Sequence, residues 1–271
     1  MGRRLDKYLF SLFNNASKSL IYKLLRKKRI KLNGKRALGS EIINEGDIIT
    51  FYMSTDSLII EKPIEKAAPL KGIIYEDEHI LVINKPAGLA SQGGDGIKEH
   101  LLAQVQYYLN SNKAALCNRL DTNTSGIVIA GKNPFALNII NTMLKNYEIT
   151  KTYIALVHGK LTKSGRLENY YYKDTKTNKA YISITQTKQT IITEYRPILI
   201  KNDTTLVEVN PITGRSHQIR LHLSGIGHPI VGDKKYGGKQ GILHLHCKSM
   251  TINKKSPLYE KGTSWQTLPP F

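Results

Sequence analysis

Apolar positions near the start of the chain recur at helical spacing. Leu5, Tyr8, Leu9 and Leu12 fall on one face of a helix, and after a break at Asn15-Ala16-Ser17 the set Leu20, Ile21, Leu24 and Leu25 defines a second. Ser17 or Ser19 can cap that second helix, because a side-chain oxygen there accepts from the unpaired N–H groups of the first turn. The period then drops to two. Ile30-Lys31-Leu32 alternates as a short strand, Asn33-Gly34 is a hairpin-turn pair, and Glu45-Gly46-Asp47 leads into the strand Ile48-Ile49-Thr50-Phe51. Residues 3–52 therefore read as one small α/β unit.

Residues 53–72 carry Pro63, Pro69, Gly72 and mixed charges and read as a linker. A second domain spans 73–271. Ile73-Ile74-Tyr75 and Ile80-Leu81-Val82-Ile83 read as strand, turn, strand, and Lys85-Pro86-Ala87-Gly88 forces a turn after them. The pattern predicts helices over 97–110 and 134–146, and strands over 127–131, 152–158, 180–185, 190–196 and 204–210. Helices sit among many strands without regular βαβ alternation. The expected class is α+β, with a mixed, mainly antiparallel sheet and flanking helices. Gly93-Gly94-Asp95-Gly96 does not fit the Gly-x-x-x-x-Gly-Lys pattern of a phosphate loop.

Charge changes this picture. The chain of 271 residues has a formal net charge of +19 and a pI near 9.8, which draws polyanions to it. From Ser17 to Arg36 there are nine Lys or Arg and no Asp or Glu. A merely solvated helix face mixes signs to avoid self-repulsion. The face carrying Lys18, Lys23, Arg26, Lys27 and Lys28 is therefore read as a nucleic-acid surface. Two distant cysteines, Cys117 and Cys247, make neither a disulfide framework nor a metal spacing, so a reducing, cytoplasmic setting is expected. Met1-Gly2-Arg3-Arg4 leads into no long apolar core, so no signal peptide is read, and no apolar run reaches the ~20 residues that span a bilayer.

The candidate chemistry begins at Asn118-Arg119-Leu120-Asp121-Thr122-Asn123-Thr124-Ser125-Gly126. A carboxylate and a cation stand there at the mouth of the apolar strand Ile127-Val128-Ile129-Ala130, a costly placement without a partner or a task. Taken alone, Asp121 reads as a turn or cap carboxylate, Tyr153 as half-buried strand packing and Arg220 as a surface cation on a strand. His217, His222, His244 and His246 lie near Cys247. His244 and His246 share one strand face in this reading, but no acid or thiol pair completes a tetrahedral set, so no metal is expected. Hydrogen bonds to local backbone are expected for His217 and His222.

Four strings then carry a resemblance. They are Arg119-Leu120-Asp121 with Thr124-Ser125-Gly126; Lys151-Thr152-Tyr153-Ile154-Ala155-Leu156-Val157-His158-Gly159; Thr213-Gly214-Arg215-Ser216-His217-Gln218-Ile219-Arg220-Leu221-His222; and Gly227-His228-Pro229-Ile230-Val231-Gly232-Asp233. In this order they resemble the RluA family of RNA pseudouridine synthases. Residues 3–52, with Arg4-Leu5-Asp6, the basic second helix and Glu45-Gly46-Asp47, look like the small RNA-binding domain of ribosomal protein S-four. Asn84-Lys85-Pro86-Ala87-Gly88 looks closest to the branch that modifies several uridines of large-subunit, 23S-type ribosomal RNA.

The resemblance implies a cofactor-free isomerase, expected as a monomer with no membrane association. Its partner is large-subunit ribosomal RNA, with transfer RNA as the alternative substrate. It gives Asp121 the part of catalytic aspartate, Arg220 that of its ion-pair partner and Tyr153 that of the ring against the extruded uracil, with its hydroxyl open to proton transfer. Arg119, Arg215 and His217 are expected to contact the RNA, and Lys23, Arg26 and Lys27 to grip it through phosphates. Asn118 stands where the family usually has His. A non-catalytic ribosome-assembly factor is the rival reading. Such a factor keeps the basic unit and loses the acid, arginine and tyrosine, yet all three are present here.

Overall fold

The computed structural model describes residues 2–13, 18–52, 64–94, 96–174, 177, 179–183, 185–187, 189–239 and 241–271, and the chain divides into two compact units, Met1–Pro63 and Ile64–Phe271. Ser17 and residues 53–63 of the expected linker lie outside the described residues. Residues 64–72 belong to the second unit, where the Asn84 N–H donates to the Gly72 carbonyl.

In the first unit, β1 (Arg3–Arg4) leads into α1 (Leu5–Leu12), followed by α2 (Lys18–Arg26), β2 (Ile30–Leu32), β3 (Lys35–Arg36), β4 (Ile42–Ile43) and β5 (Ile49–Phe51). Leu5 and Leu9 of α1 meet Ile21, Leu24 and Leu25 of α2 in a core closed by Ile30 and Ala37. Leu5 and Leu9 thus face the second helix as the spacing predicts, whereas Leu12, expected on the same stripe, is exposed. The hairpin turn from β2 to β3 has Asn33 at φ 49° and Gly34 at φ 75°, the left-handed pair such a turn requires. Ser19 sits inside α2 rather than at its cap.

The second unit is built on one eleven-stranded sheet. Its strands are β6 (Ile73–Glu76), β7 (Ile80–Lys85), β8 (Ala115–Leu116), β9 (Ser125–Gly131), β10 (Ile149–His158), β11 (Gly165–Asp174), β12 (Lys179–Ser183), β13 (Thr190–Lys201), β14 (Thr204–Pro211), β15 (Leu245–Ile252) and β16 (Ser264–Gln266). Its helices are α3 (Leu101–Tyr108), α4 (Pro134–Lys145) and α5 (Gln218–Gly225). The spatial order is β12-β11-β13-β14-β10-β15-β9-β7-β6, with β16 beside β15 and β8 beside β9. Among these strands every pairing is antiparallel except β9 with β15. The α+β class with a mixed, mainly antiparallel sheet is what the pattern predicts.

β9 is buried along its whole length and runs down the middle of the core with β7, which explains its unbroken apolar run. Asn133 caps α4 through its side-chain oxygen and Pro134 opens the helix, so this boundary is legible in the sequence. The short strands β8 and β16 are not predicted, and three further points differ from the reading. β11, with its alternating exposed and inward positions, is a strand where none is predicted. Arg220 lies on helix α5, not on a strand. His244 precedes β15, so it does not share a strand face with the buried His246. No helix among the described residues is long and apolar enough to cross a membrane.

Candidate active site

Asp121 sits on the loop between β8 and β9, and four contacts hold that loop in place. Ser91 Oγ donates to the Leu120 carbonyl at 2.7 Å and accepts from the Leu120 N–H at 3.1 Å. The Gly88 N–H and the Lys85 ammonium both donate to the Thr122 carbonyl, at 2.9 and 3.1 Å. Lys85 is fully buried and also donates to the carbonyls of Pro86 and Leu89. Burial pushes its ammonium down to about 8, against the pull of Asp121. At the far end of the loop Gly126 has φ 115°, and a Cβ there would collide with the Cys247 backbone. Only glycine lets β9 approach β15 this closely, and that approach sets where the loop ends.

The loop opens onto a cleft of about 1450 Å³ lined by Asp121, Tyr153, Arg220, Arg119, Arg215 and His217. One guanidinium organises the centre. Arg220 Nη1 donates to Asp121 Oδ2 at 3.1 Å, while its Nε and Nη2 each donate to Asp233 at 2.7 Å. The Asp233 side chain is 0% exposed, Arg220 12% and Asp121 28%, so Asp121 is the end of this chain that faces the cleft. The Tyr236 ring lies 5.2 Å from the guanidinium carbon. A bidentate fork fixes the plane of an arginine, so Asp233 aims the third donor at Asp121. Desolvation opposes the Arg220 charge, and the bonds from Asp233 and Asp121 outweigh it.

His217 is the left-handed residue (φ 57°) at the start of α5. Its Nε2 is 3.7 Å from Asp121 Oδ2 and its Nδ1 is 2.9 Å from the Tyr236 hydroxyl. Its partner is therefore a side chain, not the backbone bond expected. Burial lowers its basicity, partly countered by Asp121. His222 likewise departs from expectation, since both its ring nitrogens are buried with no hydrogen-bond partner among the described residues. Tyr153 is buried, and its cross-strand neighbour on β15 is Cys247. Burial holds its hydroxyl well above the usual tyrosine range, so at neutral pH it is a neutral phenol.

Arg119 does not pair with its neighbour Asp121; its Nη1 donates to Gln92 across the cleft at 3.1 Å. Arg215 is exposed on the loop before α5. Lys23, Arg26 and Lys27 are exposed on and just after α2, in the first unit. The structure thus gathers six of the nine expected site residues around one cleft and places the three basic ones on the other compact unit. Asn118 points its amide away from any charged role. Its Oδ1 accepts from the Ile129 N–H at 2.8 Å and its Nδ2 donates to the Ile127 carbonyl at 3.1 Å. Sequence reasoning does not single out Asp233, Lys85 or Lys151 as site residues, although each lies within a motif string. Among the described residues no cluster of three or more His, Cys, Asp or Glu could hold a metal ion.

The profile of the RNA pseudouridylate synthase family matches residues 79–225, and that of the S4 domain matches residues 3–49. The chain is 35% identical to the ribosomal large subunit pseudouridine synthase C of Rickettsia bellii, covering 94% of this chain and 91% of that one. It is 32% identical to the protein of the same name from Rickettsia felis, over 100% of this chain and 94% of that one. In fold it is similar to human RNA pseudouridylate synthase domain containing 1, with a TM-score of 0.62 at 24% identity over 76% of this chain and 87% of that one. This chain, with its aspartate–arginine–aspartate relay at the mouth of a sheet-bound cleft, belongs to the RNA pseudouridylate synthase family.

Proposed function

We propose that this enzyme isomerises uridines of large-subunit, 23S-type ribosomal RNA, with Asp121 as the carboxylate that does the chemistry. The observation that carries the reading is the Asp121–Arg220–Asp233 chain, which presents an acceptor-only carboxylate to an open cleft with its charge balanced from behind. The relatives named for ribosomal large subunit substrates support the choice of RNA.

In this reading the N-terminal unit, residues 3–52, grips structured RNA through the Lys23, Arg26 and Lys27 face, and residues 73–271 catalyse. The uridine is extruded from its helix because the reacting bond is inaccessible inside a duplex. Tyr153 packs its neutral ring against the base. Arg119, Arg215 and His217 meet the RNA at the cleft mouth, the arginines through phosphates. The bond from uracil N1 to ribose C1′ breaks, the base turns, and C5 bonds to C1′, its proton leaving as N1 takes one up. No electrons are gained or lost, so the enzyme needs no redox partner. It acts as a monomer in the cytoplasm, where ribosomal RNA is made and modified.

Asp121→Asn tests the assignment. It keeps the shape of the side chain and should bind the RNA within about threefold of wild type while losing at least about a thousandfold in rate. Tritium release from [5-³H]uridine-labelled ribosomal RNA measures it, and near-normal release would refute the role of Asp121.

A further inference from the structure

Lys151 is a cation in the cleft that the catalytic chain does not use. It stands on β10 two residues before Tyr153, and both side chains line the cleft. Among the described residues its ammonium makes no hydrogen bond and no ion pair. A Cβ built on Gly214 would lie 3.3 Å from Nζ, so the chain is laid against the Thr213-Gly214-Arg215 segment.

The electrostatics of this position are one-sided. Asp121 acts on Lys85, Tyr153, Tyr171, His217 and Arg220, whereas the acidic group that Lys151 senses is the Cys247 thiol. Burial pushes that thiol up to about 12, so it stays protonated and supplies no counter-charge. Desolvation alone pushes the Lys151 ammonium down. A partly desolvated cation without an anion is costly, and its cost is relieved when a ligand brings negative charge.

The reaction brings such a charge to this place. Tyr153, against whose ring the uracil packs, couples to Asp121 and to Cys247, and Cys247 couples to Lys151. The two side chains leave the strand roughly 7 Å apart. Lys151 and Tyr153 share one face of β10 and line the same cleft, so a base packed on the Tyr153 ring lies within reach of the Lys151 ammonium. When the N1–C1′ bond breaks, the bonding pair stays on the uracil and spreads over N1, O2 and O4. That pair, shared onto C5, later forms the C5–C1′ bond at the centre that N1 left, and as the proton on C5 leaves, N1 takes one up. Between the two steps the base is an anion.

We propose that Lys151 is a catalytic residue, its ammonium holding a carbonyl oxygen of the extruded uracil and stabilising the negative charge the base carries while detached from ribose. A charge fixed in advance where negative charge develops lowers the barrier without reorganisation. The inference rests on the reading of Asp121 and the uridine substrate given above.

The experiment compares full-length wild type, Lys151→Met and Lys151→Arg in single-turnover reactions. Two transcribed large-subunit ribosomal RNA fragments are used, one with uridine, read as pseudouridine formed, and one with 5-fluorouridine, which has no C5 proton to lose and is read as the loss of intact 5-fluorouridine, both after nuclease digestion and chromatography. Fluorine withdraws electrons and stabilises the detached base by itself. Lys151→Met should lose roughly a hundredfold on the uridine RNA. On the fluorinated RNA it should lose about tenfold less than that, with RNA affinity shifted by under about threefold. Lys151→Arg, which keeps a charge, should recover part of the rate.

An unchanged rate, a loss carried wholly by affinity, or equal losses on the two RNAs overturns the proposal, since a merely structural role is blind to the fluorine. If Lys151→Met does not fold, Lys151→Arg carries the same test, because its displaced charge must also cost less on the fluorinated RNA. A wild-type enzyme that forms no pseudouridine in the uridine fragment refutes the substrate reading instead.

Discussion

Asn118 commits both halves of its amide to the backbone of β9, one to the Ile129 N–H and one to the Ile127 carbonyl. The position therefore shapes the loop that carries Asp121. Asn118→Ala should cost about 1–3 kcal/mol by leaving these groups unpaired, seen as a lower urea midpoint. Asn118→His restores the residue usual in the family, and a neutral imidazole still offers one donor and one acceptor. It should stay within about 1 kcal/mol of wild type in the same urea titration, with an unchanged slope. At this scale the sequence names the residue types well and their partners poorly. Arg119 and Asp121 are neighbours in the chain yet not a pair, because Arg220, 99 residues further on, takes Asp121. Asp233, buried behind Arg220, is invisible until α5 and the turn after Ile230 are placed.

Helix α2 shows what an element can reveal. Ile21, Leu24 and Leu25 are buried while Lys23 and Arg26, with Lys27 just beyond, are exposed, so the apolar stripe and the basic face separate as the 3.6-residue period requires. Replacing Lys23, Arg26 and Lys27 together by Gln leaves the apolar stripe intact and should keep the melting temperature within a few degrees. It should weaken RNA binding and flatten the slope of log affinity against log salt by about 0.7–0.9 for each phosphate that is no longer neutralised. Binding titrations from low to moderate salt measure this, and an unchanged slope would place the RNA elsewhere. Helix α5 teaches the opposite lesson. Its Ile219, Leu221 and Leu223 alternate like a strand, and packing against β12, β13 and β14 overrides that local pattern.

For the whole molecule, two buried imidazoles make stability depend on pH. Burial lowers His222 and His246 from 6.5 to about 4 each. Folded, they are neutral across this window; unfolded, they take up a proton below pH 6.5. Stability from these two groups is thus full above about pH 6.5, falls as pH drops, and levels off near 4, where the folded form also protonates. The loss is roughly 3 kcal/mol for each histidine across that range. Urea unfolding at several pH values between 7 and 4.5 should show it, and His222→Gln should reduce the slope by about one proton. An unchanged slope in that variant would show that His222 does not titrate on unfolding. The net charge of +19 works alongside this, since acid adds positive charge to a chain that already repels itself.

The sequence by itself determined which segments are amphipathic, where most strands and two of the catalytic-unit helices run, the basic face of the first unit, and the motif strings that hold the chemistry. These follow from local periodicity, turn chemistry and charge, each of which is written within a dozen residues. Only the tertiary structure decided that Arg220 binds two carboxylates at once, that Asn118 faces a strand, that Gly126 must be glycine for β9 to meet β15, and that Lys151 lines the cleft uncompensated. Those facts depend on which distant strands become neighbours. In a sheet ordered β14-β10-β15-β9 that choice is made by long-range burial, which no local window of the chain records.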